Sequence, residues 1–336
     1  MWFRYAFYFS LLTLSNAALA QSLSFEDALQ VAERSSPDLE AQSAGVEAAR
    51  TASRAAGSLP DPKLAFGIDN LPATGPDQWR VNRDFMTMRK IGLMQEFPNR
   101  EKRRLQRDLA QRDVTVAQGE LRKSRFETAR AAADAWIGRA VAEQSLVRLQ
   151  SLKPDVELQA TAMRGALSSG RANAADALGA LKLAAALDDR ILSMQQEVEM
   201  QRAELARWIG SDADLPLALI PVDRELEHSP AELVGAVPGH APLSPFVARV
   251  EAAKTDVDLA RAAKRPDWSA EISYAKRGPD FSDMVSLEFR VDLPLFPKNR
   301  QNPMIAGKLA TLRAEEAELD SEVRMHTAEV RAAAAQ

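Results

Sequence analysis

The chain has 336 residues, with 43 Lys and Arg against 47 Asp and Glu, a formal net charge of -4 and no cysteine. A slight acidic excess argues against a nucleic-acid binder, whose phosphate contacts need clustered cations, and the missing thiols exclude disulfide scaffolds, thiolate metal sites and cysteine nucleophiles. Hydrophobic residues make up 46% of the chain but aromatics only 6%, so Ala, Leu and Val dominate, a composition suited to long helices.

Residues 1–20 read as a secretory leader: Arg4, an apolar run from Ala6 to Leu14, and Ala18-Leu19-Ala20 before the cleavage point. No cysteine follows to accept a lipid, and no later stretch of about 18 apolar residues predicts a transmembrane helix. A first repeat is then expected over 21–222. Its first helix, 24–58, opens on Ser24 with Asp27 three residues on and is interrupted at Ser36-Pro37-Asp38. Strands are expected at 62–69, with Leu64, Phe66 and Ile68 on one face, and at 85–97. In the second strand Met86 and Met88 share one parity while Ile91, Leu93 and Phe97 share the other, which predicts a bulge near Arg89 and Lys90.

From residue 99 the composition turns to Ala, Leu, Arg, Glu and Gln, with no proline between Pro98 and Pro154. About 55 such residues make a rod of roughly 80 Å, which Pro154 is expected to kink without ending. Gly170 and Asn173 supply a helix stop and a fresh N-cap. The spacing therefore predicts an antiparallel helical hairpin over 99–209 with its tip at 168–173, too long for a globular bundle.

A second, incomplete repeat is expected over 223–336, with a helix at 243–264, or from Ser229, strands at 268–275 and 284–293, and a long helix at 304–336. The two copies are offset by about 200 residues. Arg265-Pro266-Asp267 answers Leu59-Pro60-Asp61, and Phe296-Pro297-Lys298-Asn299-Arg300 answers Phe97-Pro98-Asn99-Arg100. In the last strand Val285, Leu287, Phe289, Val291 and Leu293 alternate with Ser286, Glu288, Arg290 and Asp292. About ten residues with one apolar and one charged face fit a transmembrane β-strand with lipid outside and water inside. Two hairpins give four strands per chain, and lipid tolerates no unpaired edge, so a membrane sheet here requires several chains to close a barrel. The second copy lacks a tip and a return arm, and a C-terminally truncated chain is the expectation.

Leu59-Pro60-Asp61-Pro62-Lys63-Leu64, Asp69-Asn70-Leu71-Pro72, Ile91-Gly92-Leu93-Met94-Gln95-Glu96-Phe97-Pro98 and Ser169-Gly170-Arg171-Ala172-Asn173 resemble, in order and wording, the TolC-type outer-membrane efflux family, nearest its heavy-metal branch. The resemblance implies a mainly α fold, in which helical hairpins form a periplasmic tunnel and short β-strands contribute to one twelve-stranded barrel in a homotrimer. It implies a passive export duct in the outer membrane for metal ions or small toxic compounds, docked to a periplasmic adaptor and an inner-membrane RND-type pump. It also places Ser169, Gly170, Arg171 and Asn173 at an adaptor-facing tip, and 70–81 and 276–283 on the outside.

No catalytic residue, cofactor or nucleic-acid partner is expected, since phosphate loops, nucleophile elbows and HExxH are absent. Glu288, Arg290 and Asp292 are lumen-lining on the barrel reading, or an ordinary hydrated sheet face. Met86, Met88 and Met94 are read as lipid-facing or core packing rather than Cu(I) ligands. Lys102, Arg103, Arg104 and Arg107 suit either anionic head groups or a solvated helix face. His228, His240 and His326 have no ligand spacing and are expected at the surface. The rival class is an exported, soluble coiled-coil scaffold or adaptor of the periplasm, and a third reading is an exported metal-binding chaperone using Met86 and Met88.

Overall fold

A computed structural model describes residues 22–218 and 228–335, so the leader expected at 1–20 lies outside the described residues. The chain is mainly helical with one four-stranded antiparallel sheet. In chain order come α1 (Phe25–Ser35), α2 (Pro37–Ala55), β1 (Lys63–Asp69), β2 (Met88–Phe97), α3 (Arg100–Ser168), α4 (Ala174–Ile209), α5 (Pro230–Ala236), α6 (Ser244–Ala262), β3 (Asp267–Lys276), β4 (Met284–Asp292) and α7 (Gln301–Ala334). They divide into two compact units. One holds α1, the part of α3 from Glu127 onward and α4, and the other holds all remaining elements with α3 up to Phe126.

In the first unit Ser24 caps α1 by accepting from the Asp27 amide, which satisfies an otherwise orphaned N–H. Small residues, Ala28 and Ala32 of α1 and Ala132, Ala135 and Ala140 of α3, let these helices and α4 approach around Trp136, which is 1% exposed. The Trp136 indole donates to the Leu23 carbonyl at 3.3 Å, and Phe25 meets its ring edge-on at 5.5 Å. Arg139 is also buried. Its guanidinium donates to the carbonyls of Ala213 and Leu215 and to Glu143, so the charge is paired and the strap after α4 is tied to α3. Further along, α3 and α4 run antiparallel, with Gly138 against Gln201 and Lys153 paired to Asp188 at 2.7 Å. Pro154 lies inside α3 without ending it.

The hairpin turn has a physical reason for each residue. Gly170 takes φ 72°, the left-handed region that favours glycine. The Arg171 amide then reaches the Ala166 carbonyl at 2.8 Å and the Gly170 amide the Leu167 carbonyl at 3.0 Å, the paired bonds of a Schellman stop. Asn173 starts α4 by accepting from the Asp176 amide at 2.9 Å.

In the second unit two helices occupy the stretch where one was expected. Ser229 and Glu232 form a reciprocal capping box on α5, short 3₁₀ turns follow, and α6 begins at Ser244. Helices α6 and α7 pack together, with Lys308 bonded to Asp256 at 2.6 Å, and Gly119 of α3 admits the backbone of Pro245, which a side chain would displace. Helix α7 starts at Gln301 rather than 304, because Pro303 falls in its first turn, where a missing N–H costs little.

Candidate functional site: a two-faced sheet

The strands lie in the order β1-β2-β3-β4, all antiparallel. The register is continuous: Phe66 pairs with Ile91, Ile91 with Tyr274 and Tyr274 with Val285, while Leu64, Leu93, Ile272 and Leu287 form the adjacent row. No bulge interrupts β2, which corrects the expectation at Arg89 and Lys90. Met88 and Met94 simply share the parity of Lys90 and stand on the polar face, and Met86 precedes the strand. The methionines are therefore not on the apolar side. The Met94 sulfur instead accepts from Arg290 at 3.1 Å.

Side chains alternate in a strand, so this register gathers one apolar face from all four strands. Most of it is exposed, with Phe66 at 84%, and Leu287 and Phe289 each at 70%, while Gln95, Phe97 and Ala270 are half-buried. The opposite face is ionised. Glu271 on β3 takes Lys90 from β2 at 2.9 Å and Arg290 from β4 at 3.0 Å, and Arg290 also bonds Glu288 at 2.7 Å. Glu288, Arg290 and Asp292 thus share this face, the first two inside the charge network. Lys63 and Glu96 add a further pair.

Below the sheet, the end of β2 is clamped to the start of β3. The Asn99 amide donates to Asp267 at 2.8 Å, Lys102 bonds the same carboxylate at 2.7 Å, and Phe97 stacks on Trp268 at 4.1 Å. Arg103 donates to the Gly57 carbonyl, and Arg104 pairs with Glu101 and Asp108. Lys102 and Arg103 thus serve bonds to other elements, which neither sequence reading of this cluster contained, while Arg104 and Arg107 are exposed on the helix face.

At the other end, residues 70–87 join β1 to β2 and residues 277–283 join β3 to β4, so both connections lie at the same end of the strands. The tip residues Ser169, Gly170, Arg171 and Asn173 belong to the other unit, where the Ser169 hydroxyl donates to the Gly165 and Ala166 carbonyls of α3, Arg171 donates to that hydroxyl and Asn173 caps α4.

His228 is exposed as expected, but the other two histidines correct the expectation. His326 on α7 is buried, and its Nε2 lies 3.0 Å from Nδ1 of His240, in the turn before α6, with Glu329 3.4 Å from its other nitrogen. Among the described residues, no group of three or more His, Cys, Asp or Glu is arranged to hold a metal ion, and no helix is long and apolar enough to cross a membrane.

No family model and no curated protein matches the sequence. Solved structures do. The chain superposes on CusC with a TM-score of 0.74 at 16% identity, covering 95% of this chain and 78% of that one. It matches the outer membrane protein VceC of Vibrio cholerae with a TM-score of 0.71 at 21% identity, over 90% and 75% of the two chains. It matches the MtrE outer membrane channel of Neisseria gonorrhoeae, in its open state, with a TM-score of 0.72 at 16% identity, over 93% and 72%. The chain shares the fold of these structures.

Proposed function

We propose that this chain is the outer-membrane component of a tripartite efflux pump, a passive duct that carries metal ions or small toxic compounds from periplasm to exterior. The observation that carries the proposal is the sheet: an exposed apolar face across four strands, an ionised reverse face, and two open edges at β1 and β4. An apolar face of that extent is unfavourable in water. In lipid the unfavourable feature becomes the edges, whose backbone groups must be paired. Three copies joined edge to edge resolve both, giving twelve strands with lipid outside and Glu288, Arg290 and Asp292 toward the lumen. The neighbours in fold are outer-membrane channels, which supports the same placement.

On this reading residues 1–20 direct export, α3 and α4 with their counterparts form a periplasmic tunnel wall, and the turn at Ser169, Gly170, Arg171 and Asn173 meets the adaptor that links the duct to an RND-type inner-membrane pump. Apolar side chains left exposed along the hairpin, Val147, Leu158 and Leu192 among them, are then covered by neighbouring copies. The duct performs no chemistry and needs no cofactor, since the partner pump supplies the energy. The test is fractionation followed by planar-bilayer recording. Detergent-dependent extraction from the outer membrane and stable unitary conductance are expected, and Leu287→Arg should abolish insertion, because an Arg or Lys on the lipid face costs about 2–4 kcal/mol at the midplane. Recovery of the parent chain in the soluble periplasm would sink the proposal.

A further inference from the structure

Arg89 and Lys276 stand directly opposite each other in the β2–β3 register. Their parity is that of Ile91 and Leu93 on β2 and of Ile272 and Tyr274 on β3, so both belong to the apolar face, in the last row before the connecting loops. Two like charges at facing positions, with Cα atoms about 5 Å apart, repel, and both side chains are exposed. Neither has an ion-pairing carboxylate among the described residues. Asp283, whose charge reaches both, is engaged by the Tyr274 hydroxyl and the Arg277 amide. Arg277 adds a third cation, its guanidinium stacked 5.6 Å from the Phe281 ring. Together Arg89, Lys276, Arg277, Phe281 and Asp283 border an open depression of about 460 Å³ with an excess of positive charge.

We propose that this depression binds a phosphomonoester head group of an outer-leaflet glycolipid, the chemistry presented by lipid A. The inference rests on the outer-membrane placement above, which sets the loop end of the sheet at the outer leaflet. Position selects a lipid: the cations cap an apolar face where hydrocarbon gives way to head groups, not the lumenal face. Charge selects a monoester. A phosphomonoester carries about -1.5 to -2 and three acceptor oxygens near neutral pH, enough to neutralise both Arg89 and Lys276, whereas a phosphodiester lipid offers a single charge. The ligand thereby removes the cross-strand repulsion that the free protein retains, and the adjacent Tyr274 and Phe281 give the first sugar and acyl segments an apolar border.

The test uses the purified full-length chain in neutral detergent micelles, with binding of lipid A followed by native mass spectrometry and by the shift in thermal unfolding. Lipid A should bind in preference to phosphatidylglycerol. Arg89→Gln with Lys276→Gln should weaken it about thirtyfold, as expected from about 1 kcal/mol per cation near an anionic head group. The charge-conserving pair Arg89→Lys with Lys276→Arg should retain it, separating lost charge from lost folding. Equal binding by the double Gln variant, or equal binding of phosphatidylglycerol by the parent, overturns the assignment. Liposome flotation distinguishes the two layers of the argument: a parent chain that inserts but shows no lipid A preference sinks this inference alone, while one that does not insert sinks the duct as well.

Discussion

At the scale of single residues, the contact between His240 and His326 makes the second unit sensitive to acid. Burial, and then the neighbouring His326, hold the His240 imidazole below its ordinary pKa. Glu329 of α7 flanks His326, and Arg112 and Arg122 of α3 and Glu251 of α6 border the cavity at His240. Because the unfolded chain protonates His240 more readily than the folded one, the contact contributes fully above about pH 6.5 and is lost as pH falls through the depressed value. The protection of amides at the C-terminal end of α7, with the intrinsic pH dependence of exchange divided out, should therefore fall between pH 7 and pH 5, and His240→Gln should flatten that dependence. An unchanged profile in the variant would remove His240 as the cause. This pair was not legible in the sequence: the two residues lie 86 positions apart, on elements that carry no pattern joining them.

At the scale of elements, helices and strands were legible where period and punctuation agreed. The alternation of Val285, Leu287, Phe289 and Val291 marks β4 because every second residue is apolar, and Gly170 and Asn173 mark a helix stop and start because each supplies a bond the turn requires. Parity misled in β2. Met88 and Met94 count as apolar in a pattern yet stand among Lys90, Glu271 and Arg290, since a flexible thioether tolerates a polar face and can accept from a guanidinium. The turn itself is testable. Nothing lies near a Cβ added at Gly170, so Gly170→Ala meets only backbone strain. It should cost about 1 kcal/mol, with Gly170→Asn close to neutral, as read by thermal unfolding. A neutral alanine would mean that the chain leaves the left-handed conformation without loss.

At the scale of the whole molecule, the sheet's charge would set the ion preference of the proposed duct. On the ionised face Asp69, Glu96, Asp267, Glu271, Glu288 and Asp292 outnumber Lys63, Lys90 and Arg290, and Lys102 offsets only Asp267. If that face lines the lumen, the pore favours cations, most clearly at low salt where the Debye length is about 30 Å. Reversal potentials across a salt gradient should show cation preference, reduced by Glu288→Gln with Asp292→Asn. Anion preference in the parent would place the other face inward. The two-faced sheet could be read from alternation alone, but its strand order and the clamp at its base could not, because Asn99 and Asp267 meet across 168 positions.

That clamp has a mechanical consequence. The seam between β2 and β3 is fixed three ways, by the backbone ladder, by Phe97 on Trp268, and by Asp267 held to the first turn of α3. Load entering along the root of α3 therefore reaches the inner pair of strands as a single plate. Among the described residues the margins, β1 and β4, carry no such rivet to α3, and in the proposed assembly they are the edges that find partners. The sheet is stiff along its midline and compliant at its borders, so small mismatches between joining copies can be absorbed at the borders without disturbing the seam.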